Sequence, residues 1–230
     1  MISNSSSLPD VLPPKRIVII EDHEVLRLGI AHVIRNRPGW ELCGEASNAI
    51  DGLRVVQDTL PHLAVLDLRL GFTDGLDLIK NIREVAPACR MLVLSSLDED
   101  IFAERSLRAG AHGFLSKVEP VPTLIAAIEK VLDGKLYLSP RATDRVLMSQ
   151  AGANVDERSP LERLSDREMD VYQRLGQGMG TKQIAQELHL SPKTVEYHRF
   201  NIKKKLRLDT AAALVRHATA HVLGKENDAR

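Results

Sequence analysis

Residues 63–72 read LAVLDLRLGF: four apolar residues run straight into Asp67, and an arginine follows two positions later. A run of four apolar residues has the length of a buried strand. A carboxylate at its end is costly unless it meets water, a cation or hydrogen-bond donors. Asp67 could be no more than a cap at an exposed strand end. The rest of the chain decides between a cap and a reacting group.

On either side, short apolar runs alternate with amphipathic ones. RIVII (16–20), WELCGEA (40–46), LAVL (63–66), RMLVLSS (90–96) and GFLSK (113–117) read as strands. Helical patterns cover 24–36, 48–60, 75–86, 98–111 and 122–134. Five strand–helix alternations predict an α/β fold, a doubly wound five-stranded parallel sheet with helices on both faces. In such sheets chemistry gathers at the carboxyl ends of the strands, which is where Asp67 stands. Beyond Ser139 the alternation stops. RATDRVLMSQ suits one short helix, AGANVDERSP (151–160) a flexible linker, and four helical stretches follow from Leu164: 165–177, 181–189, 191–206 and 209–223. Ser165, Thr181, Ser191 and Asp209 are candidate N-caps, and Pro192 suits a first helical position. The second and third stretches, joined by a short turn, have the form of a helix-turn-helix. The expected organisation is a disordered head (1–14), an α/β domain (15–135), a linker (136–160), an all-α domain of four helices (161–223) and a disordered tail (224–230).

Composition agrees with two domains. The 230-residue chain is 43% hydrophobic and 27% charged with zero net charge, but the charge is unevenly placed. Residues 1–140 carry 15 Lys+Arg against 19 Asp+Glu, residues 161–208 carry 10 against 6. An acidic first part and a basic second part suggest different partners, the basic one nucleic acid. The two cysteines, Cys43 and Cys89, lie in apolar segments and read as buried free thiols. The polar, proline-broken start is no signal peptide, and no apolar run approaches the roughly 18 residues of a membrane span. A cytoplasmic protein is expected.

Strand one ends in Glu21-Asp22, strand three in Asp67, strand four in Ser95-Ser96, and strand five carries Lys117. If the strands are parallel with the first at the centre, these ends meet in one cleft. Three clustered carboxylates favour a divalent cation, and Mg²⁺ needs only two of them and a backbone carbonyl besides its waters. Lys117 adds a fixed positive charge and Ser95 a hydroxyl. The set suits phosphoryl transfer onto Asp67, which attacks in line while cations neutralise the equatorial oxygens. Singly, each residue has a plainer role: a helix cap, a surface charge, a turn serine.

The order E-D, D-x-x-x-x-x-x-D-G (67–75), a hydroxyl residue after strand four and G-A-x-G-F-x-x-K (110–117) resembles the receiver domains of response regulators, which are flavodoxin-like. The resemblance implies that Asp67 accepts a phosphoryl group from a sensor histidine kinase. It also implies Mg²⁺ on Asp22, Asp67 and the carbonyl of Arg69, with Glu21 assisting through water. Lys117 would pair with the phosphoryl group, and Ser95 and Phe114 would occupy the switch positions. Three departures stand out: Leu70-Gly71 where Met-Pro is frequent, Val118 where a proline often follows the lysine, and Phe114 where tyrosine is more usual.

In SPKTVEYHRFNIKKKL (191–206), taken as a helix, Val195, Ile202 and Leu206 share one stripe, flanked by His198 and Arg199. The opposite face carries Lys193, Glu196, Tyr197, Phe200 and Lys204, with Asn201 and Lys203 beside it. Lysines next to aromatics suit phosphate contacts combined with base-edge contacts. An ordinary surface helix whose aromatics dock on another domain is the alternative. Together, L-S-D-R-E-x-x-V-Y (164–172) and K-x-I-A-x-x-L-x-L-S-x-K-T-V-E-Y-H-R-x-N-I-x-x-K-L (182–206) resemble the LuxR-type DNA-binding domain, and with the receiver they point to the NarL/FixJ class of transcriptional regulators. The resemblance makes Arg167 and Glu168 a structural pair. It puts Lys182, Lys193, Thr194, Glu196, Tyr197, Phe200, Asn201, Lys203 and Lys204 at DNA, an inverted repeat bound by a homodimer that phosphorylation favours. Base readers would be Glu196, Tyr197 and Phe200. Glutamate can accept from cytosine N4, and an aromatic can touch the thymine methyl.

Two other function classes remain. An aspartate-nucleophile phosphatase usually needs a second aspartate two residues on, where Arg69 stands. A phosphorylation-independent DNA-binding or interaction factor would not need the full acidic set, the lysine and the hydroxyl.

Overall fold

The computed structural model describes residues 13–70, 73–150 and 160–228. The head therefore lies almost wholly outside the described residues, as do nine residues of the linker. Five strands form one parallel sheet: β1 (Lys15–Ile20), β2 (Trp40–Ala46), β3 (Leu63–Leu66), β6 (Arg90–Ser95) and β7 (Gly113–Ser116), in the order β2-β1-β3-β6-β7. β3, the strand leading into Asp67, is central, and β1 lies beside it. The expectation of a central first strand is thus off by one place, with no effect on which ends meet. A two-residue antiparallel pair, β4 (Arg69–Leu70) with β5 (Thr73–Asp74), closes the loop after Asp67.

The strands are apolar at nearly every position because both faces are covered. Helices α2 (Ala49–Thr59), α3 (Gly75–Val85) and α4 (Glu99–Ala109) pack on Val18, Ile20, Ala64, Leu66, Met91 and Val93. Across the sheet α1 (Glu24–Arg35) and α5 (Val121–Leu132) cover Ile17, Ile19, Leu63, Val65, Leu92 and Leu94. Cys89 is buried, its thiol pushed up to about 12 by desolvation, and Cys43 is partly buried; both are free.

Helix α6 (Pro140–Gln150) lies along α4. Ser139 donates to Glu99, Arg141 pairs with Asp100 and Arg145 donates to the Asp100 carbonyl. After a 3₁₀ turn (Pro160–Arg163) come α7 (Asp166–Gly176), α8 (Thr181–Glu187), α9 (Pro192–Leu206) and α10 (Ala211–Asp228). α10 extends past Leu223 into the residues read as a tail. Gly224 does not stop it, since a glycine within a helix costs only about 1 kcal/mol. Two caps also differ from expectation. Gly180, not Thr181, caps α8, with the Gln183 side chain accepting from its N–H. Thr210, not Asp209, accepts from the Ala213 N–H at the start of α10. Ser165 and Ser191 cap as expected, Ser165 in a reciprocal box with Glu168. Among the described residues no helix is long and apolar enough to cross a membrane.

Candidate functional site

The backbone brings the strand ends together before any side chain does. The Asp67 N–H donates to the Ile20 carbonyl, the Glu21 N–H to Ala46, and the Lys117 N–H to Ser95, each at 3.0 Å. Gly75 locks the loop that follows Asp67. Its N–H donates to the Leu68 carbonyl, and a Cβ there would lie 2.4 Å from the Leu68 Cα. Only glycine allows that approach.

On this frame, Glu21, Asp22 and Asp67 present carboxylate oxygens within 4.8 Å of one another. Glu21 and Asp67 are buried, Asp22 is exposed. Lys117 Nζ sits 2.7 Å from Asp67 Oδ2 and 2.8 Å from Glu21. One ammonium thus offsets two buried carboxylates, an incomplete balance. Burial raises the Glu21 carboxyl above its ordinary value, against the pull of Lys117 and with a further push from Asp67. Asp67 Oδ1 is buried without a hydrogen-bond partner. An oxygen with no protein donor, among three carboxylates and one lysine, is what a divalent oxygen-liganded cation would complete. The donor set fits Mg²⁺.

The remaining members surround this cluster. Ser95 is fully buried, its Oγ accepting from the Leu97 N–H, and Phe114 is fully buried against the α2–α4 face. Arg69 begins the antiparallel pair after Asp67. Val118 is exposed, and among the described residues no peptide bond is cis. Four residues beyond Ser95, α4 begins. Its Arg105 donates to the carbonyls of Leu164, at 2.5 Å, and Leu161, at the entrance of the helical domain. Arg167 of α7 reaches Asp77 of α3 at 3.4 Å. Two elements that begin near the acidic cluster, α3 and α4, therefore reach the helical domain.

In the helical domain α9 buries Val195, Ile202 and Leu206. Tyr197 and Phe200 stand on the opposite face, 63% and 60% exposed, with Lys193 and Lys204 also exposed. Neither aromatic is covered by the α/β domain in this structure. Lys182 is exposed, and Lys203 and Thr194 are partly buried. The Thr194 hydroxyl is engaged with that of Ser191. Asn201 and Lys204 line a shallow groove with Arg163, Glu168, Lys205 and Arg207.

Two pairings were not legible. Glu168 is buried and bound by Lys205 at 2.6 Å, not by its neighbour Arg167. Burial alone would raise its carboxyl, but Lys205 and the Ser165 hydrogen bonds hold it below its ordinary value. Within the run Lys203–Lys205, Lys203 and Lys205 flank the apolar stripe on its two sides, and the spacing does not tell which of them meets Glu168. Glu196 accepts from Thr181 Oγ1 at 2.6 Å and from Arg199 at 3.0 Å, and Arg199 also donates to Thr181. Thr181 belongs to α8, so no spacing within α9 announces this bond.

Comparison with known proteins covers both parts of the chain. The response regulator receiver domain family matches residues 17–129, and the bacterial regulatory proteins of the luxR family match residues 162–218. A putative transcriptional regulator of Pseudomonas aeruginosa is 37% identical over 90% of this chain and 99% of that protein. The virulence factors putative positive transcription regulator BvgA of Bordetella pertussis is 35% identical over 87% of this chain and 94% of its own. Among solved structures, RcsB from Salmonella enterica serovar Typhimurium, bound to promoter rprA with the phosphomimetic BeF3⁻, has a TM-score of 0.67 at 21% identity. It covers 90% of this chain and 98% of that chain, a likeness of fold.

Proposed function

From the premise that this chain belongs to the response regulators joining a receiver domain to a LuxR-type DNA-binding domain, we propose that it is a two-component transcriptional regulator switched by phosphorylation of Asp67. The observation that carries the reading is the bridge from partly buried Lys117 to buried Glu21 and Asp67, beside an unpartnered Asp67 oxygen. The donor is a sensor histidine kinase. An Asp67 carboxylate oxygen bonds to phosphorus as the bond from phosphorus to the donor nitrogen breaks. Lys117, released from sharing two carboxylates, pairs with the phosphoryl oxygens, and the Ser95 hydroxyl turns toward them. Mg²⁺, when bound, neutralises charge on those oxygens. The side chains of Asp22 and Asp67 and the Arg69 carbonyl would hold it, with Glu21 acting through water.

Ser95 and Phe114 pass the change to α4, whose contacts reach the linker helix and the carbonyls of Leu161 and Leu164. The luxR-family match, and the promoter held by the RcsB neighbour, support DNA as the partner. Phosphorylation favours a homodimer, and two such domains on a two-fold axis suit an inverted repeat with half-sites about one helical turn apart. Joining two sites makes the second contact intramolecular and raises affinity. The spans 15–135 and 161–223 are the proposed functional units. DNA as target places the protein in the cytoplasm, and its only chemistry is gain and loss of its own phosphoryl group.

The test is labelling by a small phosphodonor with Mg²⁺, read by mass spectrometry. The phosphoryl group is expected on Asp67, and Asp67→Asn or chelation of the metal should abolish it. Label on another residue overturns the assignment.

A further inference from the structure

We infer that Arg27 is a positioning residue for the phosphoryl site, holding the turn that presents Asp22 to Mg²⁺. This rests on the Mg²⁺ and phosphoryl reading of the acidic cluster and adds to it a residue outside the carboxylate set.

Glu21 and Asp22 lie in the turn between β1 and α1, and they are fixed by different means. Glu21 is held by its own groups. Its N–H donates to the Ala46 carbonyl at 3.0 Å, and its carboxylate accepts from Lys117 at 2.8 Å and from the His23 N–H at 3.2 Å. Asp22 is exposed, so burial does not set its direction. Its backbone is set through the peptide it shares with Glu21. A peptide unit is planar, so the Glu21 carbonyl, the Asp22 N–H and the Asp22 Cα move as one piece. That carbonyl accepts from Arg27 Nη1 at 2.7 Å. Arg27 stands one turn into α1 and reaches six residues back, past the start of its own helix.

Helix stability does not account for this arrangement. The usual fastening at a helix start is a capping side chain, yet the His23 side chain makes no cap hydrogen bond. A cation in the first turns faces the positive end of the helix dipole, which disfavours it. Charge balance at the site does not account for it either. By charge alone a guanidinium beside the turn opposes a divalent cation; by holding the turn it favours one. The two effects have opposite signs, and salt separates them, since it screens the charge and leaves the geometry. Losing a residue that orients a metal ligand typically costs about 10–100-fold in metal affinity.

The experiment uses the full-length protein with Mn²⁺ as the probe, free Mn²⁺ being followed by electron paramagnetic resonance and Mg²⁺ added as competitor. At high salt, Arg27→Ala should bind Mn²⁺ about tenfold more weakly than wild type. In labelling by a small phosphodonor, the Mg²⁺ concentration for half-maximal rate should rise about tenfold, with the rate at saturating Mg²⁺ close to that of wild type. Equal or tighter Mn²⁺ binding by Arg27→Ala overturns the inference and leaves the phosphoryl site intact. So does a lower saturated rate at unchanged affinity, which would make Arg27 a purely structural residue. Should Arg27→Ala fail to fold, Arg27→Lys is read in its place. Lysine keeps the charge and loses the guanidinium fork, so weaker Mn²⁺ binding supports the inference and wild-type affinity overturns it. A wild-type protein that binds no Mn²⁺, or whose Mn²⁺ is not displaced by Mg²⁺, overturns the reading of the acidic cluster and this inference with it.

Discussion

The acidic cluster and the recognition helix use the same device, a rigid apolar frame, to opposite ends. At the strand ends the functional groups are themselves inside. Glu21, Asp67 and Ser95 are buried, and Lys117 is the cation that makes burying two carboxylates tolerable. On α9 the frame is inside and the functional groups are outside, Val195 and Ile202 fully buried beneath an exposed Tyr197 and Phe200. In the first region chemistry and stability share the same atoms, so a substitution disturbs both. In the second they are carried by different faces of one helix and can be separated by mutation.

Lys117 offers the strongest way to break that contrast. Removing one partner of a buried ion pair leaves uncompensated charge and costs about 3–5 kcal/mol. Lys117→Ala should therefore unfold far more easily than wild type in metal-free buffer and recover part of the loss with Mg²⁺. Lys204→Ala, exposed on α9, should stay within about 0.5 kcal/mol. Thermal unfolding with and without Mg²⁺ measures both, and equal melting curves for the two variants would erase the distinction. Next in size is the α9 frame. Ile202→Ala opens a cavity in a packed core and should cost about 2–5 kcal/mol. Phe200→Ala, two residues away on the wet face, should leave denaturant unfolding unchanged and alter DNA choice alone.

The same contrast explains what could be read in the sequence. Strand and helix positions followed from period and length because the sheet is covered on both faces, which writes near-continuous apolar runs. Glu21, Asp22, Asp67 and Lys117 were legible because parallel strands place equivalent ends together, whatever lies between them in the chain. Partners across separate helices were not. Lys205 looks like its neighbours in a run of three lysines, and Arg167 looked like the natural mate of Glu168. Thr181 read as an N-cap, yet its hydroxyl serves Glu196 and Arg199, and Gln183 reaches back to cap in its place. Local rules find caps and faces; they hold no information on which of several polar side chains a distant helix will meet.

Glu168 permits a finer comparison, since it is a buried carboxylate in the region where function is exposed. Its carboxyl is held below the ordinary 4.5, burial opposing but Lys205 and Ser165 prevailing. A depressed acid contributes stability above its unfolded value and loses it as pH falls through the folded one. Glu168→Gln keeps the shape and removes the titration. Because the Lys205 side chain is 38% exposed, water screens the pair and the expected cost at neutral pH is about 1 kcal/mol. The gap between the two proteins should close below about pH 4.5, and a gap that persists there would mean that packing, not charge, holds this corner.

The smallest effect separates lysines that share one helix. Lys193 and Lys204 are exposed at the two ends of the aromatic face, while Lys205, next to Lys204 in sequence, is tied to Glu168. If the first two neutralise phosphates, each releases about one counterion, and losing either should flatten the plot of log K against log salt by about one unit. Between 50 and 200 mM salt that is only a three- to fourfold change, roughly equal on selected and scrambled duplexes. Lys205→Ala should do the reverse, lowering stability with little change of slope, because its charge already faces a carboxylate. Titrations at several salt concentrations decide the matter. A slope that moves with Lys205 and not with Lys193 would put the phosphates in the groove lined by Arg163, Asn201, Lys204 and Arg207, and the aromatic face would then point away from the duplex.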